Sequence, residues 1–227
     1  MALELDVGRT IATITRLKVR IEERFPGSGL STVCGELEEF AGDCVESIER
    51  ISRPNYILRV SVGIFIVFAI VGAIFSVSLL DISFKSFGFA EFVALFESLV
   101  NDLVLVGAAI FFLFTIESRL KRRKALKYLN TLRAIAHVID MHQLTKDPNY
   151  DASVQTPSSP SRELSPYELS RYLSYCGEML SLTGKVAALY AKGTDDGVVI
   201  ETINEIEELT TGLSRKIWQK IMVLPPQ

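Results

Sequence analysis

The 227 residues hold two histidines, three cysteines and one tryptophan, and each scarcity removes a class of protein. Three cysteines are too few, and odd in number, to staple a small secreted domain. No CxxC pair, HExxH helix, Gly-rich phosphate loop or GxSxG elbow occurs. The histidines, His137 and His142, stand five apart and point to different sides of a helix. His137 and Asp140 share a helical face, the one spacing suited to a metal or a proton relay, and a hydrogen bond between them uses that spacing equally well. With no set of nucleophile, base and oxyanion donors, neither an enzyme nor a cofactor is expected. Disorder is excluded from the other side, because hydrophobic residues reach 48% and aromatics 9%.

Charge of one sign is missing from particular stretches. The net charge is −3. Between Ser118 and Ile139 no acid occurs, whereas Arg119, Lys121, Arg122, Arg123, Lys124, Lys127 and Arg133 do. Those seven leave 17 bases against 27 acids in the rest of the chain. From Val60 to Leu80, 21 residues carry no charge at all. A helix of about 20 residues crosses the roughly 30 Å hydrocarbon core of a bilayer. The run begins far from the N-terminus and exceeds the apolar core of a signal peptide. The polar remainder of the chain is too small to wrap a helix apolar on all faces, so a transmembrane span is predicted.

A second apolar run, Leu103 to Ile116, is 14 residues long. Extended back through Ser98 it reaches spanning length, takes in Asp102 and has Glu97 at its lip. The basic block follows it directly, Arg50, Arg53 and Arg59 precede the first run, and the connection from Asp81 to Asp102 offers only Lys85. Both basic flanks stay cytoplasmic under the positive-inside rule, which requires two crossings. The expectation is a transmembrane hairpin over 54–118, with spans at about 57–80 and 98–118 and both termini cytoplasmic. Eleven of the 13 phenylalanines fall between Phe65 and Phe114, and Phe84, Phe87, Phe89, Phe92 and Phe96 crowd the connection.

Alternation with period two is absent outside the membrane runs, so the water-facing parts read as helices. Val7, Ile11, Ile14, Leu17, Ile21 and Phe25 form one stripe, broken by Pro26-Gly27-Ser28-Gly29. Val33, Leu37, Phe40, Cys44, Ile48 and Ile51 form another, up to Pro54, giving a cytoplasmic helical hairpin over 1–53. Cys34, Cys44 and Cys176 lie on such stripes and read as small core residues. A basic juxtamembrane helix over 119–143 carries Leu126, Leu129, Leu132 and Ile139 on its apolar side. Three prolines and four serines mark a flexible loop over 144–164. Ser165-Pro166-Tyr167-Glu168 has the form of a capping box. It opens a C-terminal helical hairpin over 165–227, with stripes Leu169, Leu173, Cys176, Leu180, Thr183, Ala187, Tyr190 and Val199, Ile203, Ile206, Thr210, Leu213, Ile217. The predicted class is all-α: a two-helix transmembrane hairpin and a cytoplasmic bundle of five helices.

Three groups of residues are candidates for function. Ala69, Gly72, Ala73 and Ser76 on the first span, with Gly107 on the second, are small residues that let helices approach closely. They join either the two spans of one chain or several chains in a homo-oligomer. Glu97 and Asp102 are ionisable groups at or within membrane depth, where a ring of carboxylates would attract cations to a pore mouth. Five residues apart, they lie about 140° apart around a helix and cannot both face one axis squarely. Arg119, Lys121, Arg122, Arg123 and Lys124 are placed to contact lipid head groups. Tyr128 is the sole aromatic among these bases, so a nucleic-acid partner is not expected.

The segments KRRKALKYLNTLRAIAHVIDMHQLTKD and ELTTGLSRKIWQKI resemble those of a family of bacterial two-span helical membrane proteins. The resemblance covers about the C-terminal half, implies a bacterial inner membrane and names no activity. In layout alone the chain is similar to two-span effectors of bacterial defence systems, and its acidic lip is similar to that of mitochondrial calcium uniporters. The Trp-Asp-x-x-Glu-Pro signature of the latter is missing, as Trp218 is the only tryptophan. The expected function is a non-enzymatic, homo-oligomeric membrane scaffold whose bundle binds a cytoplasmic protein. The alternative is an ion-conducting pore lined by the second span.

Overall fold

The computed structural model describes residues 5–52, 56–79, 88–146, 148, 157–158 and 164–224. Among these every regular element is a helix and there is no strand. The order is α1 (Val7–Arg24), α2 (Gly29–Ser52), α3 (Tyr56–Leu79), α4 (Phe89–Leu144), α5 (Pro166–Leu189), a single 3-10 turn (Tyr190–Gly193) and α6 (Gly197–Val223). Most of the expected loop over 144–164, together with Phe84 and Phe87, lies outside the described residues.

The chain divides into two units, residues 53–123 and residues 1–52 with 124–227. The second is a bundle of α1, α2, the C-terminal part of α4, α5 and α6 around one core. Its centre is α5, which buries thirteen of 24 residues, from Leu169 to Leu189, because other helices flank it on most sides. α6 buries Val199, Ile203, Ile206, Thr210, Leu213 and Ile217, the six residues that its periodicity marks. α5 and α6 approach closely at Gly184, where a Cβ would stand 2.9 Å from the Thr210 Oγ1. Aromatic rings fill the ends of the core: Phe25 meets Tyr172 edge-on at 5.4 Å, and Tyr128 stacks on Tyr190 at 5.8 Å.

Local chemistry explains where these helices start and stop. Asp6 caps α1 by accepting from the Arg9 backbone N–H at 2.7 Å. α1 ends before Pro26-Gly27, and Gly27 takes φ +66°, a conformation that costs glycine little. Glu22 then closes the turn by accepting from the Gly27 N–H (3.1 Å) and the Ser31 hydroxyl. At α5 the capping box is complete: the Glu168 N–H donates to the Ser165 Oγ (3.3 Å), and the Ser165 N–H donates to the Glu168 carboxylate (2.8 Å). Asp196 caps α6 through the Val198 and Val199 N–H groups.

In the other unit, α3 is a 24-residue helix, about 36 Å long. α4 is one uninterrupted helix of 56 residues, so the second apolar run and the basic block share an axis. It begins at Phe89 rather than at 98, because nothing between Gly88 and Asp102 breaks a helix. The Phe92 N–H already bonds the Gly88 carbonyl at 3.2 Å. Phe89, Phe92 and Phe96 are therefore helical, and the rings of Phe92 and Phe96 stack 6.4 Å apart.

Candidate functional site

Apolar exposure is the dominant feature of the unit formed by α3 and the first part of α4. Ile57 is 84% exposed, Phe68 78%, Leu103 74% and Phe111 75%, with many similar neighbours. At about 25 cal/mol per Å² such surface is strongly unfavourable in water. From Phe92 onward α4 is long and apolar enough to cross a membrane. Toward the end of that stretch Thr115 and Ser118 donate back to the Phe111 and Phe114 carbonyls (2.9 and 3.0 Å), which satisfies their hydroxyls within the helix.

The candidate carboxylates part company with a third acid that sequence reasoning treated only as a boundary. Glu97 and Asp102 are both on α4 and exposed. Asp102 is surrounded along its helix by exposed Leu99, Leu103 and Leu105. Glu117, by contrast, is 9% exposed. It accepts from Lys121 one turn on at 3.0 Å and pairs across to Arg59 of α3 at 3.9 Å. Arg59 and Glu117 each border an apolar run at the end nearer the basic flanks. That shared position was the sequence signal for their meeting.

This pairing involves one of the bases expected at lipid head groups. Lys121, expected at lipid head groups, is only 32% exposed in its side chain and is held by Glu117. Arg119, Arg123 and Lys124 are exposed, and among the described residues no partner holds them. Arg122 is exposed and has an interaction within the chain. Among the described residues a Cβ at Gly72 or Gly107 would meet nothing within 4 Å. Ala69 is half-buried, and the side chains of Ala73 and Ser76 lie outside the described residues.

Among the described residues no group of three or more His, Cys, Asp or Glu converges on a metal position. Asp140 accepts from the Gln143 side chain at 2.6 Å, while His137 stands exposed, so the spacing that suggested a His–Asp pair is used otherwise. The His142 ring packs against Gly29 at the start of α2. Burial pushes the Cys34 and Cys176 thiols up to about 12 and Cys44 to about 11, which leaves them protonated and unreactive near neutrality. Tyr128 packs between Phe40 and Tyr190 instead of offering a stacking face to a base.

Two of the hollows on the bundle surface lie among the described residues. One, of about 490 Å³, runs between α5 and α6, floored by Leu173, Gly177 and Ile217 and rimmed by Trp218. The other, of about 470 Å³, lies between the start of α1 and α5 beside Asp6, Arg9 and Lys185. Comparison with protein-family models, curated proteins and solved structures finds nothing that matches the chain.

Proposed function

We propose that the chain is an integral membrane protein of two spans, α3 and α4, with both termini on the cytoplasmic face of a bacterial inner membrane. Its helical bundle acts as a non-enzymatic scaffold that associates with further copies and with a cytoplasmic protein. The observation that carries the reading is the exposed apolar surface of α3 and α4, from Ile57 to Phe111, next to the free bases Arg119, Arg123 and Lys124. Lipid tails cover the first and anionic head groups meet the second. Gly72 and Gly107, open among the described residues, give a second copy close approach at membrane depth.

One observation favours a second reading. Asp102 is a carboxylate on an otherwise apolar, exposed stretch of α4, and such a group within hydrocarbon is stable only beside water or a partner. Subunits gathered around α4 would supply that water in a pore. Planar-bilayer recording of the purified protein separates the two. The scaffold gives no conductance at any voltage. A pore passes cations over anions, and Asp102→Asn lowers that preference while the oligomer persists.

A further inference from the structure

We infer that α4 carries a seam for a second copy of this chain. Along it Asn101, Val104, Ala108, Phe111 and Thr115 pack against the same five residues of a parallel α4, and Asn101 sets the register. The inference deepens the scaffold reading and rests on it.

One side of α4 is already turned to its neighbour. Val106, Ile110 and Leu113 are half-buried and Glu117 is buried, at steps of four, three and four. Glu117 pairs with Arg59, so this is the side toward α3. At about 100° per residue, Ala108 lies roughly 160° around the helix from both Val106 and Ile110. On that opposite side Asn101, Val104, Ala108, Phe111 and Thr115 follow in steps of three and four. Asn101 and Ala108 are exposed, Val104 is 61% and Phe111 75% exposed, and Thr115 is half-buried. The spacing is the 3.5-residue period of one helix meeting another.

Asn101 chooses the occupant. Counted from Arg119 at the head groups it lies about 27 Å along the axis, inside a hydrocarbon core of roughly 30 Å. Among the described residues its side chain has no hydrogen bond. An amide with two donors and an acceptor oxygen facing lipid is unfavourable until another polar group satisfies it. A second copy brings the complement. Across a two-fold axis along the membrane normal, the amide N–H of one Asn101 donates to the amide oxygen of the other.

Every copy enters the membrane the same way, so the two α4 helices are parallel, and only the in-register pair sets amide against amide. One asparagine on an otherwise apolar seam fixes register in this manner. Ala108 stands near mid-depth, where a small side chain lets backbones approach. The seam runs out at Glu97 and Arg122, exposed and about 37 Å apart, where water solvates like charges brought together. Asp102 is left off it: one turn before Val106, it belongs to the side toward α3.

The test uses the full chain in the membrane of a bacterium expressing it, with introduced cysteines joined by copper-phenanthroline oxidation. Native Cys34, Cys44 and Cys176 are buried and take no part. Ala108→Cys should give disulfide-linked dimers, since a parallel in-register pair brings position 108 against itself. Leu103→Cys, at a residue 74% exposed and about 140° around the helix from Ala108, should give few. Asn101→Leu added to Ala108→Cys should lower the dimer yield roughly fivefold, and Asn101→Gln, which keeps the amide, should lower it less. Every variant should stay in the membrane pellet after alkaline carbonate. Equal yields at 103 and 108, or a yield unchanged by Asn101→Leu, would overturn the inference. So would a lack of linked dimers at 108, with lipid then the cover of this face. Copies still associated by mass photometry would in that case leave a scaffold assembled through its bundle. Release of the wild type by alkaline carbonate would remove the scaffold reading itself.

Discussion

At the scale of single residues, Glu117 has the greatest consequence for the unit of α3 and α4. It is a nearly buried carboxylate that pairs with well-exposed Arg59 and with half-buried Lys121. The two sides of this cluster should therefore respond unequally to mutation. Glu117→Gln leaves two cations that water can still solvate, at a cost of about 1 kcal/mol. Removing Arg59 and Lys121 together strips a nearly buried carboxylate of two of its partners, which costs more, about 3 kcal/mol. Thermal loss of helicity in detergent should show Arg59→Ala/Lys121→Ala melting well below Glu117→Gln. Equal melting temperatures would mean that the carboxylate is solvated. No periodicity announces such a residue. Glu117 looks like any acid at the edge of an apolar run until α3 brings Arg59 to it.

At the scale of elements, legibility follows how local the cause is. The α6 stripe was readable in full because one face of that helix meets the core and 3.6-residue periodicity records one face. The α5 stripe named only part of what is buried: Tyr172, Tyr175, Met179, Leu182 and Val186 are covered too, by helices on its other sides. Charge set a span boundary near 98 and did not place where the helix starts; Glu97 and Asp102 interrupt the apolar run without interrupting α4. The capping box at Ser165 is local and was legible, whereas the Asp6 cap of α1 was not read. Ser165→Ala should lose about 1 kcal/mol at the first turn of α5. Amide exchange from Leu169 to Leu173 should speed up accordingly, and unchanged protection would show that Pro166 and Glu168 hold the turn unaided.

At the scale of the whole molecule, the pH dependence of stability follows from two groups of residues. Hydrogen bonds from Ser31, Lys18 and Ser165 hold the carboxyls of Glu22, Glu38 and Glu168 below their ordinary 4.5. Their contribution is present above that value and is lost as the pH falls below it, because the unfolded chain takes up protons first. Burial raises Cys34, Cys44 and Cys176 above their ordinary 9.0, and Tyr172 and Tyr190 above 10.0. Above about pH 9 the unfolded chain ionises and the folded chain does not, so stability declines again. Lys18, raised by its bond to Glu38, adds to the alkaline loss. The melting temperature should be highest between about pH 5 and 8.5 and fall on either side. A monotonic profile would contradict this.

All of this has its place in a cell only if α3 and α4 form a membrane hairpin with the bundle on one side, and topology reporters test that most directly. A reporter active only in the cytoplasm is fused before Met1, after Gln227 and within the connection at Ser86. Activity at both termini and silence at Ser86 is the expected result. An active fusion at Ser86 would contradict the hairpin, and with it the scaffold.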